Sequence, residues 1–195
     1  MTDPLVTQTD GGTELTEEEH EGLIPSYITL RSELNEAEQA NILEAEEWVF
    51  AHKRDPLEEK LLDNLHKRMY GNVWQWAGQH RMTGKNIGID AYRILTELRQ
   101  VLDDCRYWIK NGIYEPDEIA ARFHHRLVSI HCYPNGNGRH ARLAVDLLLK
   151  SMGKERFSWG GKNLVDLRET RKRYIAALQA ADGHDIGPLL EFMRS

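Results

Sequence analysis

The chain has 195 residues, of which 41% are hydrophobic, and a formal net charge of -6. This length suits one well-packed domain with a short extension and leaves little room for a second full domain. The negative charge excludes a general attraction to nucleic acid or to an anionic membrane surface, so any bound anion has to be held by local groups.

The sequence shows no sign of export or membrane insertion. Its first residues lack a basic stretch followed by an apolar run, and no window approaches the roughly 18 consecutive apolar residues that a membrane span needs. The two cysteines, Cys105 and Cys132, fall within helical patterns, which favours reduced thiols over a disulfide framework. We therefore expect a cytoplasmic protein with no membrane partner.

The N-terminal part divides into a tail and a helix. Residues 1–27 are polar and acidic without sustained periodicity, which predicts a mobile tail. Strong helix formers dominate residues 28–54 and predict one long helix. Asp55-Pro56 ends this helix, and we assign residues 55–195 to the main domain.

Apolar residues at helical spacing predict a series of helices in the main domain. The first carries Leu57, Leu61, Leu65 and Met69 on one face, and the others cover about Arg93–Lys110, Pro116–Ile130, Arg139–Met152, Val165–Ala181 and Ile186–Arg194. The Gly-rich segment from Arg81 to Asp90 lacks this period, which predicts a loop or small hairpin. The class is therefore all-α with one small β feature.

The stretch from His131 to Arg142 lies between two apolar helices and is suited to phosphate chemistry. Gly136 and Gly138 remove side chains where backbone N–H groups can point into one concavity, and the next helix start adds a partial positive charge. Arg139 and Arg142 lie on one side of that helix, so both guanidinium groups can grip phosphate oxygens. These features predict a polyphosphate site.

His131 and Asn137 are further candidates in this stretch. The ordinary pKa of histidine, near neutrality, suits His131 to act as a general base one loop away from the phosphate site. Asn137, between the glycines, tolerates a left-handed backbone or donates to a phosphoryl oxygen. Each such residue is usually only part of a turn or a core, so the prediction depends on their combination.

Residues 131–142 resemble the signature of the Fic family, H-x-F-x-[D/E]-G-N-G-R-x-x-R. The lead-in from Leu65 to Gly78, which contains Trp74-Gln75-Trp76-Ala77-Gly78, is similar to the family as well, so the resemblance covers about residues 57–181. The whole chain resembles the Fic subgroup called mobile mystery protein B. The resemblance implies an all-α Fic-type helical bundle with a small β-hairpin flap over the active site.

The resemblance also implies an activity, protein adenylyltransfer, in which AMP passes from ATP, with Mg²⁺, to a Ser, Thr or Tyr hydroxyl of a target protein. It implies that His131 deprotonates this hydroxyl, that Arg139 neutralises the leaving pyrophosphate and that Arg142 holds the γ-phosphate. The implied nucleotide site consists of Asn135, Gly136, Asn137, Gly138, Arg139 and Arg142. In the flap, Lys85, Asn86 and Ile87 would align the target segment by backbone pairing.

The chain departs from the family signature at three positions. Asn135 stands where most active members have an acidic residue that holds magnesium, and an amide oxygen is a weaker ligand for this cation. Cys132 replaces the usual Pro. Tyr133 replaces the usual Phe, and a buried phenol needs a hydrogen-bond partner. Gly138-Arg139 is retained, which favours nucleotide transfer over the phosphate transfer of the Doc kinases.

Many Fic proteins carry an inhibitory helix of pattern [S/T]-x-x-x-E-[G/N]. Thr29 to Glu33 and Ser32 to Glu36 have this spacing, although neither is followed by Gly or Asn. Because a carboxylate can take the place of a phosphate on Arg142, the resemblance predicts autoinhibition by Glu33, with Glu36 as the second candidate.

Two alternatives to the transferase remain. Asn135 and Cys132 are compatible with a non-catalytic Fic module that binds a nucleotide or a protein partner. The same site could also remove AMP from a modified protein. The sequence indicates no nucleic-acid partner and leaves a homo-oligomer open.

Overall fold

The computed structural model describes residues 15–161 and 167–195. Helices dominate these ranges, and the predicted all-α class is confirmed. Their bounds are α1 Glu17–Glu21, α2 Arg31–Ala51, α3 Glu59–Tyr70, α4 Ile94–Asn111, α5 Pro116–Ile130, α6 Asn137–Ser151, α7 Leu167–Asp182 and α8 Gly187–Arg194, with a 3₁₀ turn Ala91–Arg93 before α4. The first fourteen residues of the predicted tail, and Val165 and Asp166 of a predicted helix, lie outside the described residues.

Local sequence explains where the central helices begin and end. Pro116 starts α5, followed by Asp117 in the first turn, because a proline there loses no hydrogen bond and a carboxylate complements the helix dipole. Gly112 ends α4 in the left-handed conformation at φ 60°, which costs glycine nothing.

The core lies between helices that are neighbours in sequence. α2 packs on α3, α4 on α5, α5 on α6, and α7 on α8. α6 is central, and its most deeply buried residues are Ala141, Ala144, Val145, Leu148 and Leu149. The loop that joins α5 to α6 is therefore anchored at both ends in helices of the core. Cys105 and Cys132 are buried free thiols. Over the described ranges, no helix is both long and apolar enough to cross a membrane.

The predicted tail is wrong for residues 15–27, which are folded onto the domain. Thr16 and Glu19 form a capping box at α1, with Glu19 N–H donating to Thr16 Oγ1 over 3.3 Å and Thr16 N–H donating to Glu19 Oε2 over 2.8 Å. Further on, Ile24 N–H donates to the Val73 carbonyl over 2.8 Å. The acidic composition concealed this segment because its stability comes from contacts with distant parts of the chain.

Of the loop and the small hairpin predicted for residues 81–90, the structure has the loop, since the described residues of this segment contain no paired strands; the hairpin flap that the resemblance implied is not formed. The carbonyl oxygens of Thr83 and Ile89 both accept hydrogen bonds from the Arg81 guanidinium, the first over 2.8 Å. These two carbonyls are taken by one side chain and not by a partner strand, so the segment is a bent loop.

Candidate active site

The loop that joins α5 to α6 makes two left-handed turns. His131 ends α5 at φ 56° and ψ 63°, and its N–H donates to the Leu127 carbonyl over 3.2 Å. Gly136 precedes α6 at φ 77°. A Cβ atom on Gly136 would lie 2.5 Å from the Tyr70 ring, so both conformation and space require glycine there.

Asn137 closes this loop through its side chain. Tyr133 N–H donates to Asn137 Oδ1 over 2.9 Å, and Asn137 Nδ2 donates back to the Tyr133 carbonyl over 2.8 Å. The side chain is thus committed to shaping the loop. The part of Asn137 that remains suited to a phosphate is its backbone N–H, in the first turn of α6.

His66 of α3 supports the loop between α5 and α6 through hydrogen bonds. The sequence analysis did not predict this role. Gly78 N–H donates to His66 Nδ1 over 3.0 Å, and His66 Nε2 lies 3.0 Å from the Asn135 carbonyl. Because Nδ1 accepts, Nε2 carries the proton and donates to this carbonyl. Burial holds the pKa of His66 well below its ordinary value, so the ring stays neutral at neutral pH. The only sequence signal for this role was that His66 lies in the segment from Leu65 to Gly78, which resembles the Fic family.

Tyr133, which replaces the usual Phe, has the partner that its phenol needs. The hydroxyl donates to Asp63 Oδ1 over 2.9 Å, and the ring stacks on His66 with centroids 3.8 Å apart. Asp63 Oδ1 also lies 3.0 Å from His80 Nε2. The substitution therefore exchanges an apolar anchor for a buried aromatic ring with a satisfied hydroxyl.

The surroundings of Asn135 are a poor fit for a magnesium ion. Its Oδ1 atom accepts a hydrogen bond from Gly136 N–H over 2.7 Å. Within residues 15–161 and 167–195, no group of three or more His, Cys, Asp or Glu side chains is placed to hold a metal ion. One neutral amide oxygen, already engaged by the backbone, is a poor donor set for a cation that prefers charged oxygens.

The environment of His131 keeps its imidazole neutral. Burial, followed by the positive charges of Arg81 and Lys85, lowers the pKa of His131 to about 4, while a hydrogen bond with the backbone of Val128 acts in the opposite direction. The side chain is therefore able to accept a proton at neutral pH.

Arg81 fastens the bent loop to the end of α5, and sequence reasoning gave it no role. Its Nε atom donates to the His131 carbonyl over 2.6 Å, one terminal nitrogen reaches the Ile130 carbonyl over 3.3 Å, and its backbone N–H donates to the Cys132 carbonyl over 2.9 Å. A buried guanidinium thus fixes the backbone on both sides of His131.

The predicted target-docking residues lie on this bent loop. Asn86 and Ile87 are exposed, whereas Lys85 is largely buried and pairs with Glu19 of α1. Gly88 follows at φ 99°, and a Cβ atom on it would lie 2.6 Å from the His131 Cβ. The loop therefore passes directly against His131.

Arg139 pairs with a carboxylate of α2 that the sequence pattern did not predict. Its guanidinium lies 2.6 Å from Glu38 Oε2, and Glu38 Oε1 accepts from Trp74 Nε1 over 2.8 Å. Glu38 is only 6% exposed. Its place on the buried stripe of α2, four residues after Leu34, is the signal that could have identified it.

The two glutamates that the pattern predicted to be inhibitory lie elsewhere. Glu33 Oε2 accepts from Thr29 N–H over 2.9 Å and from Leu30 N–H over 3.0 Å, so it caps α2, and these bonds lower its pKa. Glu36 is exposed. Glu33 has the spacing of the inhibitory pattern, but its carboxylate is engaged by the backbone N–H groups at the start of α2.

Arg142 is surrounded by aromatic rings. Its guanidinium carbon lies 4.6 Å from the centre of the Tyr174 ring and 5.4 Å from that of Trp159. In the described part of the chain, no carboxylate lies within ion-pair distance of Arg142. The two arginines predicted to bind phosphate thus differ in electrostatic surroundings.

Comparison with known families and proteins gives a consistent result. Residues 56–149 match the Fic/DOC family. Protein adenylyltransferase fic-1 of Caenorhabditis elegans is 28% identical over 137 residues, which are 66% of this chain and 25% of that protein. Protein adenylyltransferase Fic of Aedes aegypti is 26% identical over 149 residues, 74% of this chain and 28% of that protein. The chain spans about a quarter of the length of these relatives.

Solved structures share the fold at lower identity. A fragment of Fic-1 from C. elegans has a TM-score of 0.65 and 23% identity, covering 89% of this chain and 51% of the fragment. The BepC protein of Bartonella tribocorum, solved with bound AMPPNP, has a TM-score of 0.68 and 16% identity, covering 92% of this chain and 97% of that chain.

Proposed function

Because this chain belongs to the Fic/DOC family through residues 56–149, we propose that it is a protein adenylyltransferase, which transfers AMP from ATP to a hydroxyl group of a target protein. One observation carries the proposal. A neutral, buried His131 stands at one end of a tight glycine loop, and Arg139 and Arg142 stand at the other end.

The geometry supports a direct transfer. Neutral His131 accepts the proton of the target hydroxyl, whose oxygen forms a bond to the α-phosphorus while the bond from that phosphorus to the bridging oxygen of pyrophosphate breaks. The start of α6 and the two arginines face the charge that develops on the phosphates. Pyrophosphate leaves, and AMP stays on the target.

The donor set around Asn135 does not fit a resident Mg²⁺, so no step of this mechanism passes through a protein-bound metal. Neutralisation of the triphosphate by the protein falls to Arg139 and Arg142 and to the backbone N–H groups at the start of α6.

The bent loop is the part of the proposed site that receives the target. Asn86 and Ile87 are exposed on it, and Gly88 lies against His131. An extended target segment that pairs with the backbone of this loop would present its hydroxyl to the histidine.

We further propose that the transferase is held back by Glu38 and not by Glu33. The Glu38 carboxylate occupies the Arg139 guanidinium, which the leaving pyrophosphate needs. Competition between a carboxylate and a phosphate for one arginine lowers both nucleotide affinity and charge stabilisation.

The test uses ATP labelled at the α- or the γ-phosphate, incubated with a cell extract and either wild type or His131→Ala. Adenylyl transfer predicts labelled protein from α-labelled ATP only, and a loss of about a hundredfold or more in the variant. Label from γ-labelled ATP would indicate phosphate transfer instead. ATP binding without any labelled protein would favour the non-catalytic module, and release of AMP from a modified target would favour the hydrolase.

A further inference from the structure

The surroundings of Arg142 come from a part of the chain outside the family match. Trp159 and Tyr174 lie beyond residue 149, where the match with the Fic/DOC family ends. Both rings face the guanidinium, at 5.4 Å and 4.6 Å. The C-terminal segment therefore contributes to the environment of a residue that the signature places at the nucleotide.

Tyr174 also reaches the glycine loop. A Cβ atom on Gly138 would lie 3.9 Å from the Tyr174 hydroxyl. The same hydroxyl lies 2.8 Å from His124 Nε2 on α5. One side chain of α7 thus bonds to α5, lies beside Gly138 at the start of α6 and faces Arg142.

His124 is a fixed, neutral partner for this hydroxyl. It is fully buried, and its ring packs against Trp159 with centroids 4.8 Å apart. Burial and the charge of Arg142 lower the pKa of His124 to about 3. The imidazole therefore binds the Tyr174 hydroxyl without adding charge beside Arg142.

Support by aromatic rings has an electrostatic consequence that support by a carboxylate does not. A carboxylate would orient the guanidinium but cancel its charge, as Glu38 does for Arg139. An aromatic face orients a guanidinium and leaves the charge available to a ligand. This arrangement orients the Arg142 guanidinium and keeps its charge available before an anionic ligand binds.

We propose that Tyr174 is a positioning residue that holds the Arg142 guanidinium toward the third phosphate of a nucleoside triphosphate, with His124 fixing its hydroxyl and Trp159 supporting the other ring contact. The inference rests on the proposed function, in which Arg142 receives that phosphate. It adds a reason why this chain should discriminate ATP from ADP.

The experiment measures the affinities of ATP and ADP by calorimetry at one fixed Mg²⁺ concentration. The variants are Tyr174→Leu, Tyr174→Phe and Arg142→Gln. The matched control is Tyr114→Leu, which removes a similar contact at the other end of α5, where the guanidinium of Arg122 lies 4.4 Å from the Tyr114 ring.

We expect Tyr174→Leu to weaken ATP binding about tenfold, the size of one good cation–π contact in a partly desolvated site, and to change ADP binding less than about twofold. Tyr174→Phe keeps the ring but loses the bond with His124 that fixes it, so it should weaken ATP binding about threefold, the net value of one hydrogen bond, and leave ADP binding unchanged. Tyr114→Leu should leave the ratio of the two affinities unchanged.

Equal weakening of ATP and ADP by Tyr174→Leu would overturn the proposal, because the residue would then only support the fold. If that variant does not fold, Tyr174→Phe decides, since loss of the hydroxyl must still weaken ATP more than ADP. If Arg142→Gln leaves the ratio unchanged, Arg142 does not bind the third phosphate and the proposed nucleotide site itself is wrong. If Arg142→Gln changes the ratio of ATP to ADP affinity and the Tyr174 variants do not, only the role of Tyr174 is rejected.

Discussion

The Oε2 atom of Glu38 on α2 lies 2.6 Å from the guanidinium of Arg139 on α6, across 101 residues of sequence. The carboxylate is buried and its other oxygen is held by Trp74, so it keeps one orientation. A buried ion pair does little for stability by itself, because desolvation offsets much of the attraction. Its placement on the arginine that we propose to bind phosphate therefore supports the proposed control of the site.

Replacing Glu38 by Gln should increase the proposed adenylyl transfer. The amide oxygen can still accept from Trp74, while the loss of charge frees Arg139 for phosphate. We expect about a tenfold gain in ATP affinity, the equivalent of one charged hydrogen bond, and more labelled target protein. Glu33→Gln is the matched control and should leave transfer unchanged, because Glu33 only caps α2. Activation by Glu33→Gln alone would restore the prediction made from the sequence pattern.

The pH dependence of transfer should reflect the lowered pKa of His131. With a pKa of about 4, the imidazole stays a base down to mildly acidic pH, so the acid limb of kcat/KM should fall well below pH 6.5. Lys85→Met removes a positive charge that lowers this pKa, and the limb should move to higher pH. The exposed Lys110→Met serves as the control. A wild-type limb near pH 6.5 would show that burial does not govern His131.

Arg81→Lys should destabilise the fold. The guanidinium donates to backbone carbonyls on both the bent loop and the end of α5, and a lysine ammonium cannot span them. We expect a loss of about 2–4 kcal/mol in the free energy of unfolding, measured by urea denaturation. Arg99→Lys, at an exposed ion pair with Glu59, should show no measurable change. Similar free energies of unfolding for the two variants would contradict the proposed role of Arg81 in joining the bent loop to α5.

Tyr133→Phe restores the residue usual in the family and should cost little. It removes the hydrogen bond to Asp63, which retains His80 nearby, so we expect a loss of about 1 kcal/mol in urea denaturation and unchanged transfer. Tyr70→Phe removes a longer bond of 3.4 Å to the Gly136 carbonyl and should cost less. A larger loss for Tyr70→Phe would mean that the loop depends on that bond more than on Tyr133.

The buried histidines should make the fold sensitive to acid. The pKa values of His66, His124, His131 and His140 are lowered mainly by burial. The unfolded chain therefore binds more protons than the folded chain between about pH 6.5 and 4, and stability falls as pH drops through this window. Each histidine contributes up to about 1.4 kcal/mol per pH unit.

Urea denaturation at pH 7, 6 and 5 measures this dependence. His124→Gln should make the decline less steep, because it removes one group that takes up a proton only on unfolding. Stability that stays flat from pH 7 to 5 would contradict the assignment of neutral, buried imidazoles.

Local interactions let the sequence alone determine the main helices and the glycine loop between α5 and α6. The helix Pro116–Ile130 follows from a proline at its first turn and an apolar stripe. Gly136 and Gly138 mark a break between two apolar helices where side chains are absent. These signals lie within a few residues of the structure that they specify, so no knowledge of the fold is needed to read them.

Only the tertiary structure decided which distant groups meet at that loop. Glu38 and not Glu33 reaches Arg139 because of the way in which α2 packs against α6. Tyr174 of α7 lies beside Arg142 while its hydroxyl bonds to His124 of α5. The segment around Arg81 is likewise a bent loop and not a hairpin, because the Arg81 guanidinium donates to the carbonyls of His131 and Thr83. Such contacts depend on how helices pack against one another, and helical periodicity carries no information about that packing.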